Sequence, residues 1–543
     1  MASKSPQSPL LGRAPAARLS TSSLKVMRRA LLAAALPFWM ISNEPTIASQ
    51  TVQVVPGALK SVNETNERYQ SYNIEMAEVI GGRFWKPYGH STGVPPAATN
   101  VEVGGQSELF EARSPVDLSS ERLRTLAAAL GPAYLRVSGT WANSVFFQDD
   151  DSPSAAEPPP GYRGVLTRSQ WRGVVEFAKA VDARLVTSFT ISQGVRDSSG
   201  AWTPLEAKPL VDFTHSLGGE IVAAEMFNEP NVPNFGAAPP KYDAAWFARD
   251  AAAFRTFAIA SAPNMRIVGP GDAVVASFDV SGSLKTADLL SSEPVPRFDI
   301  FSYHFYGAVS QRCAPTGSPM GITAEKELSE EFLARTDKAF DTHGALRDEY
   351  AAGKPIWLTE TAEAACGGDP WASSFTDSFR YLDQMARLAK RGVSAIFHNT
   401  LAASEYGLID QTTLEPRPNY WAALLWRRLM GAVVLDTGIA QSSVHLYAHC
   451  LRDHPGGVTF LALNLSDRPV ALAIEGARGF SYTLTATSLQ SGTVMLNGKP
   501  LALTPDGKVP DLRGSRLRAR QATLPPESIE FVSVPEAHNA ACH

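Results

Sequence analysis

The sequence predicts an α/β protein: a (β/α)8 TIM barrel with a C-terminal antiparallel β-sandwich domain. Three observations point there. Short apolar runs rich in β-branched and aromatic residues alternate with helix-like stretches between residues 67 and 430, the pattern of buried parallel strands joined by crossover helices. Eight such runs occur in βα order, the number that closes a barrel. From about residue 443 the pattern changes to short alternating strands separated by Gly, Pro and Asp, as in a sandwich. A chain of 543 residues is too long for one ordinary domain and fits a barrel plus a module.

The elements follow in order. Thr51–Pro56 reads as a strand, and residues 49–66 are grouped with 431–543 in the sandwich. Tyr69–Glu75 is the first barrel strand, Leu118–Leu130 an amphipathic helix with Ser119 or Ser120 as its cap, and Ala133–Val137 the second strand. The acidic, proline-rich stretch Asp149–Pro160 is a solvated loop rather than a calcium site. Helix Gln170–Val181 leads to strand Arg184–Phe189, and Ile221–Phe227 follows. Ile267–Gly269, Phe298–Ser302, Ile356–Leu358 and Ser394–Phe397 complete the eight. Val458–Leu463, Val470–Ile474, Ser481–Thr485 and Ile529–Ser533 are the sandwich strands, and Arg516, Arg518 and Arg520 protect an edge by charge.

The N-terminus is read separately. Arg28-Arg29 precede the apolar run Ala30–Leu36, and Thr46-Ile47-Ala48 offers small residues for cleavage, so residues 1–48 read as a secretory signal that also permits a twin-arginine reading. The expected location is secreted or periplasmic, with no stable membrane anchor once the signal is removed. Residues 1–48 hold six Lys/Arg and one acid, so without them the chain carries 43 basic and 53 acidic residues. That balance excludes general nucleic-acid binding, and a polyanionic substrate would need a local basic cleft. Four widely spaced cysteines (Cys313, Cys366, Cys450, Cys542) form no CxxC metal pattern and allow one or two disulfides. No metal or other cofactor is expected.

Two glutamates sit where a barrel keeps its chemistry. Glu229, in Asn228-Glu229-Pro230, and Glu360, in Trp357–Thr361, each follow an apolar run, and carboxylates past strand C-termini face the active end of a barrel. Glycoside hydrolysis needs such a pair, one acid and one nucleophile. Gly89–Gly93 spells a serine-hydrolase elbow, but Pro95-Pro96 would stop the helix that the elbow requires. His445 and His449 fall in a strand-like stretch, too far apart to share a metal.

The ordered set Glu121–Arg136, Asn228–Asn231, Tyr303–Tyr306, Trp357–Thr361 and Asn419–Trp421 resembles glycoside hydrolase family 79, specifically the heparanase-like β-glucuronidases. The resemblance implies a single-chain bacterial enzyme whose extreme N-terminus adds a strand to the sandwich. It makes Glu229 the acid/base and Glu360 the nucleophile. It assigns sugar contacts to Asn228, Glu75, Thr140, His304 and Tyr306, and makes Arg136 the structural partner of a barrel carboxylate. Capture of the uronic carboxylate falls to Gly367, Gly368 and Tyr406; Cys366 stands where the family has a tyrosine. The expected substrate is a glucuronic-acid-bearing polysaccharide or oligosaccharide, cleaved internally in heparan sulfate-type chains by a monomer. Exo-removal of terminal glucuronic acid is the alternative, and a catalytically silent carbohydrate-binding barrel a more distant one. Loops in Pro87–Pro115 and Ala308–Glu327 are the segments that could close the site for exo action.

Overall fold

The computed structural model describes residues 51–88, 109–155, 157–276, 282–314, 317–439, 443–475, 478–517 and 521–543. The leader in residues 1–48, the elbow-like Gly89–Gly93, most of the Pro87–Pro115 loop, and Arg518 and Arg520 lie outside the described residues. Among the described residues no helix is long and apolar enough to cross a membrane.

Eight parallel strands close into a barrel in sequence order: β1 (Gln70–Glu75), β2 (Ala133–Ser138), β3 (Ala183–Ser188), β4 (Ile221–Glu225), β5 (Arg266–Val275), β6 (Ile300–Val309), β7 (Ile356–Ala365) and β8 (Val393–His398). The predicted strands are all present, but β5, β6 and β7 run ten residues each. Their outer halves carry polar residues that line the barrel mouth, so hydrophobicity marks only their inner halves. Glu360, expected beyond a strand, therefore lies inside β7, as His304 and Tyr306 lie inside β6. Glu229 stands four residues beyond the end of β4 at Glu225.

Local signals explain the helices. Ser120 caps Glu121–Ala129 by accepting from the Leu123 amide, and Thr167 and Gln170 form a reciprocal capping box at Arg168–Ala180. The loop Asp149–Asp151 pairs with Arg168 at the surface.

Inside the barrel, Tyr134, Val186, Ala223, Val268, Ile300, Trp357, Ala395 and Phe397 form an apolar floor. Tyr134 lies 4.8 Å from Trp357 and 5.9 Å from Phe397, ring centre to ring centre. Because side chains alternate along a strand, the inward positions two residues further up, Arg136 on β2 and Glu225 on β4, rise above that floor.

The C-terminal region builds a nine-stranded sheet that includes Met430–Asp436, Val444–Leu451, Val458–Asn464 and Ser528–Val534, with Lys60–Glu64 at one edge. A three-stranded sheet faces it, and Val52, Val54, Phe460, Leu472 and Val532 share the core. The sandwich departs from a purely antiparallel one at Thr51–Val54, which pairs parallel with Val470–Ile474. No turn joins these two strands, so nothing forces them to oppose. Cys450 and Cys542 are cross-linked here, and Cys313 and Cys366 at the barrel mouth. His445 holds Asp383 at 2.7 Å and Glu330 at 3.1 Å, tying the sandwich to the barrel helices.

One buried cluster gives the fold a pH dependence. Glu327, Glu363 and Asp369 are buried beside Asp377, which is paired with Arg380. Both carboxyl oxygens of Glu327 lack a hydrogen-bond donor. Burial, then the Asp377 charge, pushes Glu327 well above the usual carboxylate range; burial, then Asp369, does the same to Glu363. Burial also lifts Glu78 to about 8 and Glu530 to about 7. A raised folded-state pKa contributes stability that is complete below about pH 4.5 and is lost as pH climbs through the raised value. Denaturant unfolding should therefore give a lower free energy at pH 8.5 than at pH 5. Glu327→Gln should flatten that slope; a stability that rises toward pH 8.5 would refute it.

Candidate active site

The site is built on the upper halves of β1, β2, β4, β6, β7 and β8. Its centre is Arg136, which is 1% exposed. The guanidinium donates from Nη1 to Glu360 Oε2 at 2.9 Å, from Nε and Nη2 to Glu225 Oε2 at 3.0 and 2.8 Å, and from Nη2 to Asn228 Oδ1 at 2.8 Å. Thr359 Oγ1 donates to the other Glu225 oxygen at 2.7 Å. Burial alone would raise the Glu225 pKa, but Arg136 and His304 outweigh it and hold it down at about 2. Glu225 is thus a fixed negative charge beneath the reactive groups.

A break in the β6–β7 register brings Glu360 into place. Tyr303 pairs with Leu358, whereas His304 pairs with Glu360, so two residues of β7 occupy one step. Such a bulge re-aims side chains, and here Thr359 and Glu360 both reach inward contacts. Glu360 Oε1 accepts from Tyr306 Oη at 2.6 Å, so each carboxylate oxygen has its own donor. Burial and the Glu360 charge push the Tyr306 hydroxyl well up, which keeps it a neutral donor.

Glu229 sits on a constrained turn. Its φ is +54°, a left-handed conformation that costs a side-chain-bearing residue energy. Asn143 clamps the preceding peptide, its amide donating to Asn228 O and its oxygen accepting from Asn228 N, both at 2.8 Å. His304 Nδ1 lies 3.2 Å from Glu229 Oε1, and its Nε2 lies 3.2 Å from Arg136 Nη2 and 3.6 Å from Glu225 Oε1. Burial pulls the imidazole pKa down, but the Glu360 charge and the hydrogen bonds to Glu225 and Glu229 raise it to about 10. Burial raises Glu229, against the His304 hydrogen bond and with the help of the Glu360 charge. Burial thus favours the protonated form of Glu229, the form an acid must start from.

Glu229, His304 and Glu360 bring donor atoms within 4.8 Å of one another. By type and distance they could hold a metal ion, but Arg136 already places a positive charge against Glu360, which opposes a second cation.

The remaining predicted residues surround this centre. Asn399 Nδ2 links Glu75 Oε1 at 3.0 Å, Tyr306 Oη at 3.0 Å and Tyr406 Oη at 3.4 Å. Thr140 opens the short helix Thr140–Ser144 and makes no side-chain hydrogen bond to the site among the described residues. Gly367 and Gly368 both have φ of +80°, and Cys366 has +66°. A Cβ on Gly367 would stand 2.7 Å from Trp85, and one on Gly368 3.0 Å from the Tyr406 ring, so only glycine fits. Among the described residues the Gly367 and Gly368 amides donate to no protein acceptor, while their carbonyls accept from Glu405 N and Tyr88 Oη.

Sequence reasoning missed Glu225, Asn143 and Asn399, and the aromatic pair Trp85 and Tyr88 that walls the glycine turn beside Cys366. Only Glu225 left a signal: a lone acid in an apolar strand needs a buried cation, and Arg136 was available. Next to the site, an open cleft of about 930 Å³ runs from Ala276 and Trp371 past Gln311 to Lys326 and Lys338.

No family model matches the chain. Hyaluronoglucuronidase from Hirudo nipponia is 27% identical over 469 residues, 79% of this chain and 92% of that protein. Heparanase from Mus musculus is 27% identical over 493 residues, 78% of this chain and 88% of that one. A 4-O-alpha-L-rhamnosyl-beta-D-glucuronidase from Fusarium oxysporum 12S shares the fold, with a TM-score of 0.58 at 16% identity over 89% of this chain and all of that one. The motif-based likeness to the heparanase-like members of family 79 is borne out over the 78–79% of the chain that these relatives match.

Proposed function

We propose that this relative of the heparanases is a retaining β-glucuronidase that cleaves internal glucuronic acid linkages in heparan sulfate-type glycosaminoglycans. The observation that carries the reaction type is the approach of Glu229 to Glu360 within 4.8 Å. Retaining pairs stand about 5–5.5 Å apart, whereas inverting pairs stand about 6.5–9.5 Å apart to admit a water. Glu360 attacks the anomeric carbon while Glu229 protonates the departing glycosidic oxygen. The sugar is then an ester of Glu360. With that charge gone, Glu229 takes a proton from water, which displaces Glu360 with a second inversion. Asn228, held by Arg136, faces the same chemistry and suits the sugar 2-hydroxyl.

Glucuronide specificity rests on the Gly367 and Gly368 amides, which donate to no protein acceptor among the described residues and stand where the Tyr406 ring packs on Gly368; free amides of this kind suit a carboxylate. An aryl β-glucuronide should be turned over about tenfold to a hundredfold faster, in kcat/KM, than the matching β-glucoside, which leaves those donors unpaired. Equal rates would refute the glucuronide reading and leave a barrel glycosidase.

Internal cleavage is supported by the open cleft, lined by Lys326, Arg335 and Lys338 beside Glu325 and Glu331, which leaves room for a chain beyond the cleaved sugar. The Hirudo relative's name makes hyaluronan the second polymer to test. Size-exclusion chromatography during digestion of each should show a rapid fall in chain length with few monosaccharides. Free glucuronic acid with chain length nearly unchanged would mean exo action instead.

A further inference from the structure

We infer that the turn Ser310–Ala314, cross-linked to Cys366, is a positioning device for recognition of the anionic sugar, and that Arg312 is its specificity-determining residue. The inference rests on the glucuronide reading above. It starts from the glycine turn, whose donors are useful only if three consecutive left-handed residues are held in place. All three of their carbonyls are held. Ser310 Oγ donates to Cys366 O at 3.1 Å, Glu405 N to Gly367 O at 3.1 Å, and Tyr88 Oη to Gly368 O at 3.2 Å. With every carbonyl of the turn occupied, the glycine amides are left to a ligand.

The Ser310–Ala314 turn docks on the same segment several times over. Ser310 N donates to Ala365 O at 3.1 Å, Gln311 N donates to Asp369 Oδ1 at 2.7 Å, and Cys313 bonds covalently to Cys366. The cross-link packs on the apolar cluster that contains Tyr406, whose ring lies against Gly368, so it braces the wall of the glycine turn.

Arg312 completes the arrangement. Its guanidinium carbon lies 4.0 Å from the centre of the Tyr88 ring, its Nη1 donates to Lys86 O at 2.6 Å, and its Nε donates to Tyr88 Oη at 3.0 Å. Tyr88 passes its own proton on to Gly368 O. The peptide N–H next to Gly368 O is that of Asp369, which donates to Glu363 Oε2 at 3.0 Å, so this charge-assisted chain anchors the outgoing end of the glycine turn. Among the described residues Arg312 Nη2 has no hydrogen-bond partner, and the Arg312 charge opposes the burial that raises the nearby Asp369 carboxyl. The device therefore holds rigid the amides that a carboxylate would use and that an uncharged hydroxymethyl would not.

The test compares an aryl β-glucuronide with the matching β-glucoside on Arg312→Met and Cys313→Ser. KM for the glucuronide should rise roughly tenfold, because a loosened binding turn loses its preorganisation, with kcat within about twofold. Glucoside parameters from the same preparations should stay at wild-type values, which also reports that each variant is folded. Should Cys313→Ser fail to fold, Arg312→Met carries the comparison alone. A glucuronide preference that survives unchanged, or a parallel loss on both substrates as simple structural support would give, overturns the inference. A wild-type enzyme without any glucuronide preference would refute the glucuronide reading and this inference with it.

Discussion

Glu360→Ala is expected to abolish turnover of an aryl β-glucuronide, and added azide is expected to restore it by forming a glycosyl azide of inverted configuration. The small anion would fill the space left by the carboxylate and attack the anomeric carbon once, without the second displacement. Glu229→Ala should behave differently. Activated aryl leaving groups need no proton, so their first step should persist, while alkyl glycosides and polymer should slow by about 10²–10⁴, the usual worth of general acid–base assistance. The asymmetry follows from the surroundings of the two residues. Glu360 accepts from Tyr306 and Arg136 on its two oxygens, as a group that must attack in its ionised form requires. Glu229 has His304 as its side-chain hydrogen-bond partner among the described residues and is raised by burial, as suits a proton donor. Azide rescue giving the retained product, or equal sensitivity of both variants to the leaving group, would exchange or dissolve the roles.

How far these residues were legible in the sequence depends on what surrounds them. The apolar runs fixed the number and order of the barrel strands because the floor of the barrel is apolar, with Tyr134, Trp357 and Phe397 in contact. The same signal could not mark where β5, β6 and β7 end. Their upper residues include buried polar groups, Asp272 paired with His343, His304 in the site and Glu363 beside Asp369, and composition alone cannot separate these from a loop. The bulge that turns both Thr359 and Glu360 inward is a property of pairing between β6 and β7 and has no local signature. Disulfide pairing is equally non-local: Cys313 and Cys366 are 53 residues apart, and only closure of the barrel brings their turns together. Glu225 was the residue most open to detection. It stands in the strand that leads to Glu229, and reading that strand as a continuous apolar run hid the one charge in it.

Arg136→Met is expected to be the most damaging single substitution away from the two reactive glutamates, and its cost separates into two parts. Arg136 and Glu225 each expose about 1% of their side chains, and Glu360 exposes 7%. Removing the guanidinium leaves Glu225 buried without its cation, a loss of about 3–5 kcal/mol by analogy with other broken buried pairs. Thermal unfolding should shift down by several degrees at least. Activity should also fall, because Arg136 orients Glu360 through Nη1 and Asn228 through Nη2. A second substitution separates these effects. Glu225→Met on the Arg136→Met background removes the orphaned charge and replaces the pair with apolar volume, which is often neutral for stability. The double variant should therefore recover most of the lost stability, with a coupling between the two sites larger than either site's sum would allow. It should not recover turnover, since Glu360 and Asn228 still lack their donor. If stability and activity returned together, Arg136 would be a purely structural ion-pair partner. If neither returned, Arg136 would hold the barrel mouth through Glu360 and Asn228 rather than by neutralising Glu225.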